Sequence, residues 1–227
     1  KVRLRRKKKN KYISEINLWM SNLTSVIYSV EGNIGASKST FITKISDSFP
    51  LEIEPFLEPI NYWTDFNGIN VLNLQYSDRR RYSFIFQSLV QLSMFKTYSN
   101  ARNSPKHYAL IERSLASSIE VFSRLSFKNK DISNLEFSLL SEWNRELTTK
   151  NCSLDPNFYI YLRVPPEECL KRLKLRNRPE EQNIDLTLLQ EIHQYYDNWL
   201  LKKDNVFILN DTNSEDLLKA IQFIYSN

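Results

Sequence analysis

Residues 24–40, TSVIYSVEGNIGASKST, pass from an apolar, β-branched run into a glycine-containing loop and then into Lys38, Ser39 and Thr40. That order is the layout of a phosphate-binding strand, loop and helix. Loop N–H groups and the helix N-terminus face phosphate oxygens, a lysine reaches the β- and γ-phosphates, and the following hydroxyl ligates Mg²⁺. Against the pattern G-x-x-x-x-G-K-S/T, Gly32, Lys38 and Ser39 stand in register and Ser37 replaces the second glycine. The stretch Gly32, Asn33, Ile34, Gly35, Ala36, Ser37, Lys38, Ser39, Thr40 is therefore a candidate nucleotide cradle, although an ordinary strand-to-helix turn uses the same residue types. Of only three glycines in the chain, two lie in this loop, so backbone freedom is concentrated there.

The chain has 227 residues, enough for one domain with a sizeable core. With 41% hydrophobic and 25% charged residues it is ordinary for a globular protein, and no apolar run approaches the roughly 18 residues of a membrane span. The net charge of +5 belongs to one end: residues 1–11 hold eight Lys or Arg and no acid, and without them 23 basic residues face 26 acidic ones. Such a segment reads as a solvated extension, with a nuclear import signal, a weak nucleic-acid anchor or part of a transit peptide as alternatives. Cys152 and Cys169 form no C-x-x-C pair, and His107 and His193 lack metal-ligand spacing, so a structural zinc is not expected. Sparse cysteine suits a reducing, intracellular and cytoplasmic setting, with mitochondrial or nuclear placement as alternatives.

Periodicity predicts strands at 25–30, at the start of 51–60 before Pro55 and Pro59, and at 107–114, 157–164 and 205–211. Helices are predicted over 38–47, 79–99, onward to about 128, and over 135–147, 166–176, 186–202 and 214–225, the last with Ser214 as its cap. Residues 11–23 read as a lead-in helix. Strands alternating with helices imply an α/β fold, a parallel sheet flanked by helices in three layers.

The series EGNIGASKST, LEPINYW, FIFQSLVQLSM, IERS and RLKLRNRPEEQ, in this order and spacing, resembles the deoxyribonucleoside kinase family, which includes deoxycytidine, deoxyguanosine and mitochondrial thymidine kinases and the insect multisubstrate enzyme. The resemblance runs from about Ser25 to the C-terminus and implies a P-loop kinase-like fold. It divides the chain into a basic extension over 1–20 and a kinase domain over 21–227 with a lid near 172–184. It also implies ATP as phosphate donor, Mg²⁺, a deoxyribonucleoside acceptor phosphorylated on its 5′-hydroxyl, and a homodimer. Glu58 matches the family's catalytic base, and Arg113 matches an arginine that holds the base and the 5′-oxygen region. Glu112 and Ser39 match the Mg²⁺-holding pair, and Lys38 with Arg172, Arg176 and Arg178 the groups around the transferring phosphate. Without the family, a lone Glu before Pro is a surface acid, Glu-Arg at a strand end a surface ion pair, and a basic run a solvated helix face.

The same resemblance places the sugar 3′-hydroxyl on Tyr76 and Glu181, and the base among Trp63, Phe86, Gln87, Val90, Met94, Ser118 and Phe122. Gln87 would make paired hydrogen bonds to the base edge. Met94 and Val90 look like the thymidine-accepting branch, with apolar space for a 5-methyl group. Ser118 departs from that branch's small apolar residue, leaving room and adding a donor so that deoxycytidine is also admitted, and Gln75 is a second departure. Adenine of the donor would rest near Asn210 and Asp211, on the loop reaching Glu215. A GTPase needs an N-K-x-D motif and a Walker B Asp, and neither is present. A nucleoside monophosphate kinase needs a different acid and arginine set, and an impaired kinase fold rests on Ser37 alone.

Overall fold

The computed structural model describes residues 25–150 and 155–227. The basic extension, the lead-in helix expected over 11–23 and Cys152 lie outside the described residues. Five strands form one parallel sheet in the order β2-β3-β1-β4-β5: β1 Val26–Gly32, β2 Ile53–Phe56, β3 Tyr108–Glu112, β4 Phe158–Leu162 and β5 Val206–Leu209. The central strands are apolar throughout because helices cover both faces, leaving no solvent side to favour alternation. YALIE of β3 is buried at every position, and only the first residue of β1 and of β4 is partly exposed.

Helix α1 (Lys38–Ser48) returns the chain from β1 to β2 and buries Phe41, Ile42 and Ile45 against one sheet face. Two short helices, α2 (Ile60–Thr64) and α3 (Val71–Ser77), then lead into the 24-residue α4 (Arg79–Arg102), whose first turn is capped by Asp78 accepting from the Arg81 N–H at 3.2 Å. Asn70 caps α3 in the same way. On the α1 side of the sheet α8 (Pro166–Arg176) buries Cys169 and Leu173, and the last helix, α10 (Ser214–Ser226), buries Ala220 and Ile224; α9 (Leu186–Leu200), reached through a 3₁₀ turn at Pro179–Glu181, packs Ile192 and Tyr196 with Tyr159 and Tyr161 of the opposite face. Pro166 opens α8, where its missing N–H costs nothing, with Glu167 and Glu168 in the first turn and Lys174 and Arg176 in the last, as the helix dipole favours.

Three expectations are corrected. The single helix predicted up to about 128 is a short α5 (Leu115–Ser117), a π-helical segment Ser118–Ser123, and α6 (Arg124–Lys128). Apolar residues at 119, 121, 122 and 125 fit an α or a π winding equally well, so periodicity does not separate them. The 186–202 helix stops at Leu200. Ser214 is the first residue of α10, not its cap: Asn213 holds that place and accepts from the Asp216 N–H at 2.9 Å. The remaining helix, α7 (Asn134–Lys150), packs beside α4.

The sheet positions the site. Loops after β1, β2 and β3 all leave from the carboxyl ends of neighbouring strands, and the chain crosses from the β3 side of β1 to the β4 side there. In open α/β sheets this switch point is where ligands bind.

Candidate active site

Where β1 ends, Gly32 (φ 145°) and Gly35 (φ 82°) turn the chain into α1. A Cβ on Gly35 would stand 2.5 Å from the Cys169 carbonyl oxygen, so only glycine lets the loop lie directly on α8. Asn33 fastens the loop to α9 through a 2.7 Å bond to the Leu189 carbonyl. Ser37 takes the left-handed conformation (φ 64°, ψ 29°) that the absent glycine would have adopted without strain. The backbone course is thus kept at a cost of about 1–2 kcal/mol. Its hydroxyl accepts from Arg172 Nη1 at 3.3 Å.

Lys38 is 5% exposed, and its ammonium donates to the Asn33 carbonyl at 2.9 Å. Burial, then the charge of Arg113, lowers its pKa to about 8, with Glu112, Glu58 and Glu31 pulling the other way. The nearest carboxylate oxygen, Glu112 Oε1, stands 4.0 Å from the ammonium, a long ion pair that leaves burial the larger influence. Ser39 Oγ donates to Glu112 Oε1 at 3.0 Å, and Glu112 Oε2 accepts from the Glu58 N–H at 3.4 Å. Glu112 therefore joins the phosphate loop to the loop after β2. Among the described residues no cluster of three or more His, Cys, Asp or Glu could hold a metal. Mg²⁺ does not need one, since it keeps several waters and takes one or two protein oxygens beside substrate phosphates; the Ser39–Glu112 oxygen pair fits that demand.

Arg113 follows directly on β3, in a left-handed conformation (φ 62°). Its Nη1 donates to both Glu58 oxygens at 2.6 and 2.7 Å, its Nη2 to the Gly32 carbonyl at 3.3 Å, and its Nε to the Tyr196 hydroxyl at 3.0 Å. The guanidinium carbon lies 4.9 Å from the Phe122 ring centre. Burial disfavours its charge, but Glu58, Tyr196 and Glu112 outweigh burial and push its pKa above the ordinary value.

These groups line one cavity of about 360 Å³. At one end stand Gly35, Lys38, Ser39 and Glu112, in the middle Glu58 and Arg113, and beyond them Trp63, Tyr76, Phe86, Gln87, Val90 and Phe122. Trp63 meets Phe86 edge-on at 5.6 Å and is fixed by a 2.9 Å bond to Ser93. Gln87 is 3% exposed, and its Oε1 has no hydrogen-bond partner among the described residues. The Tyr76 phenol is pushed up to about 12 by burial and then by the charge of Glu181. Glu181 accepts from Arg176 at 2.6 Å and Arg178 at 3.0 Å, and all three line the cavity.

Not every expected residue reaches the cavity. Met94 lies behind it, in a cluster with Trp63, Phe86 and Leu89. Ser118 is also absent from the wall, and its hydroxyl donates to the Leu115 carbonyl at 2.7 Å, so the extra donor expected there is already committed. Arg172 stands apart from Arg176 and Arg178, bridging Ser37, Glu168 and Asp211. Asn210 and Asp211 are exposed on the loop after β5, and Thr40 is exposed on the first turn of α1. Gln75, Arg79 and Ser126 add polar groups to the wall. The sequence reading missed Arg79, Ser126, Glu31 and Tyr196. A glutamate inside the apolar run VIYSVEG was a signal in itself, because buried strands do not carry unpaired carboxylates.

The family described as "Deoxynucleoside kinase" matches residues 28–222, from the third residue of β1 to near the end of α10. The chain belongs to that family. Its relatives include human "Thymidine kinase 2, mitochondrial", 33% identical over 173 residues, covering 76% of this chain and 63% of the relative. "Deoxyguanosine kinase, mitochondrial" of Xenopus laevis is 31% identical over 196 residues (77% and 73%), and "Deoxycytidine kinase" of Rattus norvegicus is 31% identical over 197 (77% and 75%). The chain thus spans 63% of the length of the thymidine kinase 2 relative it matches. In this chain the loop after β1, the LEPINYW segment and IERS converge on one cavity.

Two measurements probe the loop. Replacing Ser37 by Gly raises the unfolding free energy in urea, because relief of about 1–2 kcal/mol of left-handed strain outweighs the roughly 0.4–1 kcal/mol of chain entropy that glycine adds; a less stable variant contradicts the strain. Without nucleotide or metal, Lys38→Met melts above wild type below pH 8, where the buried ammonium carries its full cost. Between about 8 and the ordinary 10.5 the unfolded wild type binds more protons than the folded one, so wild-type stability rises with pH and the gap narrows. A gap that widens with pH contradicts the assignment.

Proposed function

We propose that this protein transfers the γ-phosphoryl group of ATP to the 5′-hydroxyl of a deoxyribonucleoside, with thymidine and deoxycytidine as preferred acceptors, in nucleotide salvage. The observation that carries the reading is the single cavity in which a phosphate loop, a carboxylate paired with a buried arginine, and an aromatic pocket with an unpartnered amide oxygen follow one another.

In this reading Glu58 takes the proton from the 5′-hydroxyl as its oxygen bonds to the γ-phosphorus and the bond to the β-phosphate oxygen breaks. Arg113 keeps the Glu58 carboxylate aimed. Lys38 and the arginines of the 172–184 lid meet the charge that spreads over the transferring group, where fixed cations in a site closed to water act most strongly. Ser39 and Glu112 would hold Mg²⁺, which would supply positive charge against the charge developing on the phosphates. Tyr76 and Glu181 take the 3′-hydroxyl, and Gln87 pairs with the base edge between Phe86 and Phe122. Val90 is the apolar group of the wall nearest in role to a 5-methyl site, since Met94 lies behind it. Arg172, between Ser37 and Asp211, is placed to join the donor's phosphates to the loop near Asn210 on which the adenine rests.

A homodimer is part of the same proposal. Ile85 and Leu92 on α4 and Leu135, Leu139 and Trp143 on α7 are exposed, Leu135 by 78%, and Trp143 lies 6.2 Å from Phe84 of α4. Two adjoining helices with outward apolar strips suit an isologous contact with a second copy. Among the described residues no helix is long and apolar enough to cross a membrane. The mitochondrial label of two relatives supports a mitochondrial setting.

Incubation of thymidine and of deoxycytidine with Mg-ATP is expected to yield the 5′-monophosphates, and Glu58→Gln to lower kcat at least ~100-fold. No product above the Glu58→Gln level with either nucleoside rejects the proposal. In sedimentation the wild type should run at twice the 27.0 kDa chain mass and Leu92→Glu at the chain mass; a wild-type monomer rejects the dimer.

A further inference from the structure

Glu31, the residue before the phosphate loop, is 0% exposed and takes no part in the chemistry above. Four donors converge on it: Ser29 Oγ at 2.8 Å, the Ser114 N–H at 2.9 Å and the Ser114 hydroxyl at 2.7 Å on Oε1, and the Tyr196 hydroxyl at 3.3 Å on Oε2. Burial raises its pKa against the pull of the Ser114 and Ser29 bonds and of Arg113. A fully buried carboxylate costs free energy even when well bonded, and an apolar residue would suit a central strand better.

The direction of the bonds indicates what the carboxylate does. Arg113 Nε can only donate, so the Tyr196 oxygen accepts from it at 3.0 Å and sends its own single proton to Glu31. The chain therefore runs Arg113 to Tyr196 to Glu31. At its other end Arg113 Nη1 grips Glu58. Tyr196 is itself 0% exposed, stacked on Tyr161 at 5.8 Å and set edge-on to Phe122 at 6.5 Å, so its hydroxyl has one position.

We propose that Glu31 and Tyr196 are positioning residues that fix the plane of the Arg113 guanidinium and, through it, the direction of the Glu58 carboxylate. The inference rests on the reading of Glu58 as the base that accepts the 5′-hydroxyl proton. Neither residue is part of the cavity wall. Strand β1 and helix α9 act together on a base carried by the loop after β2, and one hydroxyl bridges the separation of 83 positions from Arg113 to Tyr196.

The test is a double-mutant cycle of Tyr196→Phe and Glu31→Gln, both close in shape to the native residues, measured as kcat, nucleoside KM and melting temperature. Tyr196→Phe is expected to lower kcat ~10-fold by letting the base drift, with nucleoside KM within ~2-fold. Because Glu31 reaches Arg113 through the tyrosine as well as through Ser114, the kcat loss of the double variant should fall short of the product of the single losses, although Glu31→Gln alone does lower kcat. Fully additive losses, an unchanged kcat for Tyr196→Phe, or losses that track melting temperature while kcat and KM worsen together overturn the inference. Wild-type turnover abolished by Glu58→Gln separates that failure from failure of the underlying reading, in which the wild type itself gives no product.

Discussion

The contact on which the site depends is the ion pair between Arg113 and Glu58, 2.6 Å long with both side chains about nine-tenths buried. Removing one member of such a pair typically costs about 3–5 kcal/mol, whereas replacing both by apolar residues is often neutral or better. Its retention is therefore better explained by positioning than by stability. Arg113 spends its donors on three different elements, the Gly32 carbonyl, Glu58 and Tyr196, and lays its face on Phe122. The phosphate loop, the base-bearing loop, helix α9 and the pocket wall are all referenced to one guanidinium. A left-handed residue directly after β3 is what turns the side chain inward to reach them.

Much of the fold could be read in advance where burial is two-sided. The strands YALIE and FYIYL are apolar because nothing on either face is wet, and Pro166 marks the start of α8 by removing a donor that had no partner. Helices α2 and α3, of five and seven residues, complete too few turns to show a period, and their boundaries come from tertiary packing under α4. The cap of α10 was misplaced by one residue because Asn213 and Ser214 are both good capping residues, and only the direction of the backbone chooses between them.

The site divides in the same manner. Lys38, Ser39, Glu58, Glu112 and Arg113 lie in short contiguous motifs, so their meeting in one cavity could be anticipated from local sequence. Tyr196 could not, because its partners are 83 and 165 residues away and a tyrosine on an amphipathic helix looks like core. Met94 and Ser118 lie within a turn of residues that do face the cavity, and a rotation too small to register in sequence puts them behind it. Ser37 shows the converse: its φ of 64° preserves the course of the loop that the missing glycine appeared to threaten.

The π-helical segment from Ser118 to Ser123 has a further consequence for how this chain can vary. A π turn accommodates one residue more than an α turn, so the segment amounts to a single-residue insertion absorbed within a continuous helix. Each residue of a π turn sweeps less angle than one of an α turn, so deleting one residue there would give an uninterrupted α-helix whose downstream residues keep about the same facing. Ser126, beyond the segment, would then still line the same cavity as Arg113. Residue number in this helix is thus constrained by angle: a single deletion inside the π segment is absorbed, while one in the α-helical turn between that segment and Ser126 would rotate everything beyond it by about 100° and take Ser126 off the wall of the pocket.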